Sequence, residues 1–106
     1  MGPKILLNFK DLPWEETHKG LKQKVFYQGS TRLRLMHIDH HFVEEDYCTN
    51  GHLGFIVEGE MKLILKNQMI KFEKGDGLCL NAGDDEKHKV SVEKGKFVRL
   101  ILFENN

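Results

Sequence analysis

The sequence predicts an all-β single domain, a barrel or sandwich of short antiparallel strands, on three observations. Glycines at 29, 51, 54, 59, 75, 77, 83 and 95, several beside Asn or Asp, punctuate the chain at short intervals. Between them lie runs of strand length rich in β-branched, aliphatic and aromatic residues. None of these runs keeps a helical apolar period for long enough to argue an amphipathic helix.

Taken in order, Ile5–Phe9 and Lys24–Tyr27 look like strands. Asp11-Leu12-Pro13-Trp14-Glu15-Glu16 between them looks like a capped turn or one helical turn, with Pro13 suited to its start. Strands are then expected over 32–38, 53–57, 61–65, 69–72, 78–80, 89–92 and 97–103. Lys66-Asn67-Gln68 reads as a tight hairpin joining the third and fourth of these, and Glu93-Lys94-Gly95-Lys96 as the connection of the last two. The second half is thus expected to be an antiparallel meander. No repeat, linker or low-complexity stretch interrupts the chain, so one domain is expected over 1–106.

Composition narrows the function. The chain has 106 residues, 40% hydrophobic and 30% charged, with 16 basic and 16 acidic side chains. A formal net charge of zero supplies no field for a phosphate backbone or an anionic membrane, so nucleic-acid and membrane-surface binding are disfavoured. The two cysteines, Cys48 and Cys79, lie far apart and form no disulfide framework, which fits a reducing compartment. Ile5-Leu6-Leu7 is too short for a signal-peptide core and no stretch reaches the length of a membrane span. A soluble cytoplasmic protein is expected.

Strand alternation assigns faces. His88, Val90 and Val92 share one face and are expected inside. Met61, Leu63 and Leu65 oppose Lys62 and Lys66. In 52–58 the set His52, Gly54, Ile56 opposes Leu53, Phe55, Val57, and both sets are largely apolar, so a sheet or a second copy of the chain is expected to cover the outer one. Arg32 and Arg34 read as a solvated face of their strand; in the opposite register one would enter the barrel as a carboxylate anchor. Cys79, between Leu78 and Leu80, reads as a core residue. His37, Asp39 and His41 would share a face with Leu33 and Leu35, and with His40 they make a visible histidine cluster, either a polar strand end or a second metal arrangement. No nucleotide-binding G-x-G-x-x-G, G-x-S-x-G or H-E-x-x-H pattern occurs.

Cys48-Thr-Asn-Gly-His52-Leu-Gly-Phe-Ile-Val-Glu-Gly59-Glu, followed by Gly75-Asp-Gly-Leu-Cys-Leu-Asn81-Ala-Gly83 and His88, resembles the two sequence motifs of the cupin superfamily, in particular its small single-domain members. The resemblance implies a double-stranded β-helix, or jelly-roll, barrel. In the first cupin motif an H-x-H pair precedes a Glu and then a Gly; here Asp46 and Cys48 stand at the two His positions and His52 at the Glu position, counting back from Gly59. In the second, Asn81 stands where Pro is usual, Glu86 falls at the spacing of the final His, and His88 arrives two residues later. The resemblance thereby implies a metal set of Asp46, Cys48, His52 and His88 and a pocket lined by His52, Ile56, Met61, Leu63 and His88. A mixed oxygen, sulfur and nitrogen set suits a divalent transition metal such as Zn, Fe, Ni or Mn and not Mg or Ca. The implied function is small-molecule binding in the barrel, through such a metal or without one, in a homodimer. A metal-dependent enzyme of the dioxygenase, isomerase or hydrolase kind, a non-catalytic ligand-sensing module and a metal-free lyase or isomerase with a histidine base all stay open, because fold does not dictate chemistry.

Overall fold

The computed structural model describes residues 5–105; Met1–Lys4 of the N-terminal lead and Asn106 lie outside the described residues, and with them those ends of the expected domain. Eight strands form: β1 (Glu15–His18), β2 (Leu21–Gln28), β3 (Thr31–Asp39), β4 (His52–Ile64), β5 (Met69–Glu73), β6 (Gly77–Leu80), β7 (Lys89–Ser91) and β8 (Phe97–Asn105). No described helix is long and apolar enough to cross a membrane.

The expected runs 53–57 and 61–65 are one strand. β4 bends at Gly59, whose φ of 80° lies where side chains are disfavoured. A Cβ there would collide with the Phe97 carbonyl. The bend lets β4 serve two sheets. Its first half pairs with β8 on one side and β6 on the other, and its second half pairs with β5 and β7. β1, β2 and β3 extend the first sheet beyond β8, all antiparallel.

The hairpin at 66–68 forms as expected, closed by Leu65 N–H donating to the Gln68 carbonyl at 2.8 Å. The meander does not. β6 and β7 both return to β4 and β8 inserts between β3 and β4, so successive strands alternate between sheets and wrap a common interior. The Glu93–Lys96 turn therefore connects β7 to β8 without pairing them. In the first thirty residues the expected strand Lys24–Tyr27 falls within β2, and the rest of the reading is corrected. Residues 5–8 form no strand, and Ile5 and Leu6 are 94% and 80% exposed. A 3-10 turn falls at Phe9–Asp11, with the Asn8 side chain accepting from Lys10 N–H, and Glu15–His18 is a strand.

The core lies between the sheets. β3 and β8 face it with Met36 opposite Leu100 and Ile38 opposite Val98, while β4 and β6 add Ile56, Met61, Leu63 and Leu78. Ile56 and Val98 are fully buried. On the outer face of the first sheet, Leu33 opposes Phe103, which opposes Leu53, and Leu35 opposes Ile101, which opposes Phe55. Leu53, Phe55 and Phe103 are about half exposed there. Cys79 joins that outer face opposite Leu53 and is exposed, not a core residue, because Leu78 takes the inward position and alternation turns its neighbour out.

Candidate functional site

The inner faces of β3, β4, β6 and β8 enclose a cavity of about 670 Å³. His52, Met61, Leu63 and His88 line it. Ile56 does not, being packed in the core behind it.

His52 opens β4, the first inward position of the alternation that continues through Gly54 and Ile56. Cys48 and His88 are brought together by an isolated two-way backbone bridge, Cys48 N–H to His88 O at 2.8 Å and His88 N–H to Cys48 O at 3.0 Å. Ligand atoms of Cys48, His52 and His88 all fall within 4.8 Å of one another, a grouping that could hold a metal ion. Cys48 Sγ lies 3.8 Å from His52 Nε2, and the two imidazoles meet edge to face at 5.2 Å. Asp46 lines the same cavity at its mouth but stands outside this group.

The partners of the two histidines fix which nitrogen is free. His88 Nδ1 is 3.0 Å from the Glu86 carbonyl, which can only accept, so Nδ1 carries the hydrogen and Nε2 keeps a lone pair. His52 Nδ1 is 2.7 Å from Glu104 Oε2, a carboxylate that likewise fixes the hydrogen on Nδ1. That contact is short without being aligned as a regular hydrogen bond. Both Nε2 atoms are left to the cavity. Glu86 itself is a loop brace: its carboxylate accepts from Asn81 N and Nδ2 at 2.9 and 3.1 Å, which holds its pKa below the ordinary range.

Glu104, on β8, is the residue the sequence reading omits. Its side chain is 8% exposed and gathers Arg32, Arg34 and His52. Arg34 forks onto it through Nε to Oε1 at 2.8 Å and Nη2 to Oε2 at 2.7 Å, and Arg32 donates from Nε at 2.9 Å. Burial opposes its ionisation, but the contacts with His52, Arg34 and Arg32 outweigh it and hold the carboxyl down at about 2. Arg32 and Arg34 are thus not a solvated face. β3 sits in the opposite register, with Arg32, Arg34, Met36 and Ile38 turned inward and Leu33 and Leu35 outward. The signal in the sequence was the carboxylate itself, a Glu continuing the inward series Val98, Leu100, Leu102.

Of the remaining histidines, His18 on β1 lines the cavity, while His37, His40 and His41 stand away from it. His37 is on the outer face, stacked on Phe97 at 5.2 Å and accepting from Arg99 Nε at 3.0 Å; burial and the charges of Arg99 and Lys22 lower its pKa. Asp39, His40 and His41 gather at the end of β3 and the turn that follows, a second group with metal-ligand spacing. There Asp39 Oδ1 accepts from His41 N at 2.8 Å and His40 Nδ1 accepts from Gly95 N at 3.2 Å, so they also brace the turn.

No family model and no curated protein matches the sequence. Solved structures do match the fold. The polyketide cyclase RemF from Streptomyces resistomycificus is similar over 95% of this chain and 78% of that one, with a TM-score of 0.80 at 15% identity. KdgF from Halomonas sp. is similar over 99% of this chain and 96% of that one, with a TM-score of 0.77 at 14% identity. An RmlC-like cupin from Shewanella frigidimarina is similar over 95% of this chain and 89% of that one, with a TM-score of 0.74 at 13% identity.

Proposed function

We propose, from the premise that this chain has the cupin fold, that its barrel binds a small molecule beside a divalent transition metal held by Cys48, His52 and His88. The observation that carries the reading is that both imidazoles are turned, by Glu104 and by the Glu86 carbonyl, to offer Nε2 to one point beside the Cys48 sulfur. Metal-binding histidines are commonly fixed this way through their second nitrogen. A thiolate with two imidazoles suits Zn or Fe(II) over harder ions, with Ni and Mn as further candidates. Three protein ligands leave a coordination position open, the arrangement of sites where the metal meets a ligand or water rather than serving as a staple. A metal there would supply Lewis-acid polarisation of a bound oxygen. Asp46, on the rim, is placed to contact a ligand or water entering the mouth. An open position serves an enzyme and a ligand sensor alike, and the chemistry stays undefined between them.

Alkylation tests the site. After loading with Zn(II) and removal of the excess, Cys48 is expected to resist iodoacetamide until a chelator is added, as a metal-bound thiolate does. Cys79, exposed on the outer face, is expected to label in both conditions and serves as the internal control. Labelling of Cys48 that ignores the chelator would remove it from the ligand set.

The proposal includes a homodimer through the outer face of the first sheet, where Leu53, Phe55 and Phe103 are 57%, 48% and 50% exposed in one contiguous apolar surface. Such a surface favours burial by a partner. Sedimentation at micromolar concentration is expected to give a dimer, and Phe55→Glu a monomer; a wild-type monomer would refute it. Two free thiols fit a reducing, cytoplasmic setting.

A further inference from the structure

We infer that the ligand taken by the cavity is a small monocarboxylic acid with an apolar body, its carboxylate docked on Arg32 and Arg34. The inference rests on the reading of this cavity as the ligand site, and goes beyond it in naming the ligand class.

The first argument is charge. Two guanidiniums enter the barrel and one carboxylate, Glu104, answers both. Among the described residues no other Asp or Glu lies within ion-pairing distance of either arginine. Across β2 the groups facing them are neutral: Arg34 Nη1 donates to Gln23 Oε1 at 3.0 Å, and Tyr27 stands opposite Arg32. Among the described residues one positive charge is therefore left without an ion-pair partner, on side chains only 28% and 15% exposed. A charge in that setting is stabilised by an anion far more than a surface charge would be.

The second argument is geometry. A guanidinium carries five N–H donors in one plane. Arg34 commits Nε and Nη2 to Glu104 and one hydrogen of Nη1 to Gln23, and Arg32 commits Nε and Nη2 to Glu104 Oε1 and a further donor to the Tyr27 hydroxyl. The donors left over belong to planar forks lining the cavity, which match the two oxygens of a carboxylate. Arg34 and His52 share Glu104 Oε2, each at 2.7 Å, so an acid anchored on the arginines has its first carbons beside the Cys48, His52 and His88 group.

The rest of the cavity sets the body of the ligand. Met36, Ile38, Met61, Leu63, Leu100 and Leu102 line it, and about 670 Å³ is the size of ordinary small-molecule pockets. Glu44, Glu45 and Asp46 also line it, on the segment after β3, where Glu44 accepts from Val90 N–H at 2.8 Å. Three carboxylates there repel a second negative charge on the ligand. A single carboxylate on an aliphatic or aromatic body fits; a dicarboxylate or phosphate ester does not.

Binding of benzoate and 4-methylpentanoate is compared by calorimetry with that of benzamide, 4-methylpentanamide and butyl phosphate, on metal-free and Zn-loaded protein. The acids are expected to bind roughly tenfold or more tightly than the matched amides, the worth of one charge-assisted contact, and more tightly than the phosphate. Arg32→Gln is expected to remove that preference while leaving the metal stoichiometry unchanged. In the wild type, whatever the variant's folding, arginine Nη–H resonances are expected to shift with the acids and not with the amides. Equal binding of acids and amides, binding of neither, or a preference for the phosphate would overturn the inference. Metal bound without an acid preference sinks this inference alone; an acid preference without metal binding sinks the metal reading alone.

Discussion

Glu104→Gln is expected to destabilise the fold by about 3 kcal/mol, the low end of the cost of removing one partner from a buried ionic cluster, since Arg32 and Arg34 keep some access to water. For a domain of this size that is a fall in Tm on the order of 15 °C. The wild type should show the same interaction through pH. The Glu104 carboxyl is held down from its ordinary 4.5 to about 2, so in that interval the unfolded chain binds a proton that the folded chain does not. Its contribution is fully present above about pH 4.5 and is lost as pH falls towards 2. The gap in stability between wild type and Glu104→Gln should therefore be constant from neutrality to about pH 5 and close below it. Chemical denaturation at a series of pH values measures this, and a gap that does not narrow in acid would show that Glu104 is not the counter-ion of the arginines.

The second large effect concerns metal. Protein purified without a chelating tag is expected to carry about one equivalent of a transition metal, and His52→Ala and His88→Ala are each expected to lose at least about a hundredfold in affinity, more than the 10- to 100-fold typical of losing an outer-shell partner. Glu104→Gln should fall within that smaller range, because it frees the His52 ring without removing a ligand atom. Elemental analysis and competition with a chromophoric chelator separate the two classes, with circular dichroism to confirm that the β-structure persists. Absence of metal after reconstitution with Zn, Fe(II), Ni and Mn would end the metal reading and leave a metal-free acid pocket.

Most of the outline was legible in the sequence because alternation is strong where one face is polar. Met61 and Leu63 against Lys62, and His88 with Val92 against Lys89, could be placed correctly from spacing alone, and all four are buried. β3 offered no such contrast. Leu33 and Leu35 occupy one parity and Met36 and Ile38 the other, so apolar character cannot choose between them, and placing Arg32 and Arg34 in water chose wrongly. What reverses the choice is a carboxylate more than 60 residues away, directly opposite Arg32 on β8. Cross-strand register over such a separation is set by the whole sheet and is not written in either strand. Cys48 and His88 pose the same problem. The motif spacing brought both to attention, but their adjacency is made by a backbone bridge between two loops.

The insertion of β8 between β3 and β4 also governs the order of events in folding. β2 and β3 form a local hairpin, as do β4 and β5, and each can close within the first microseconds of search. β8 joins these two hairpins into one molecule, and its pairs with β3 run from Thr31–Asn105 to Asp39–Phe97, among the longest loops this chain can close. Such closures are slow. Until they occur, Arg32 and Arg34 have no Glu104 and His52 has no fixed ring, so the binding chemistry assembles in the same late step that completes the core.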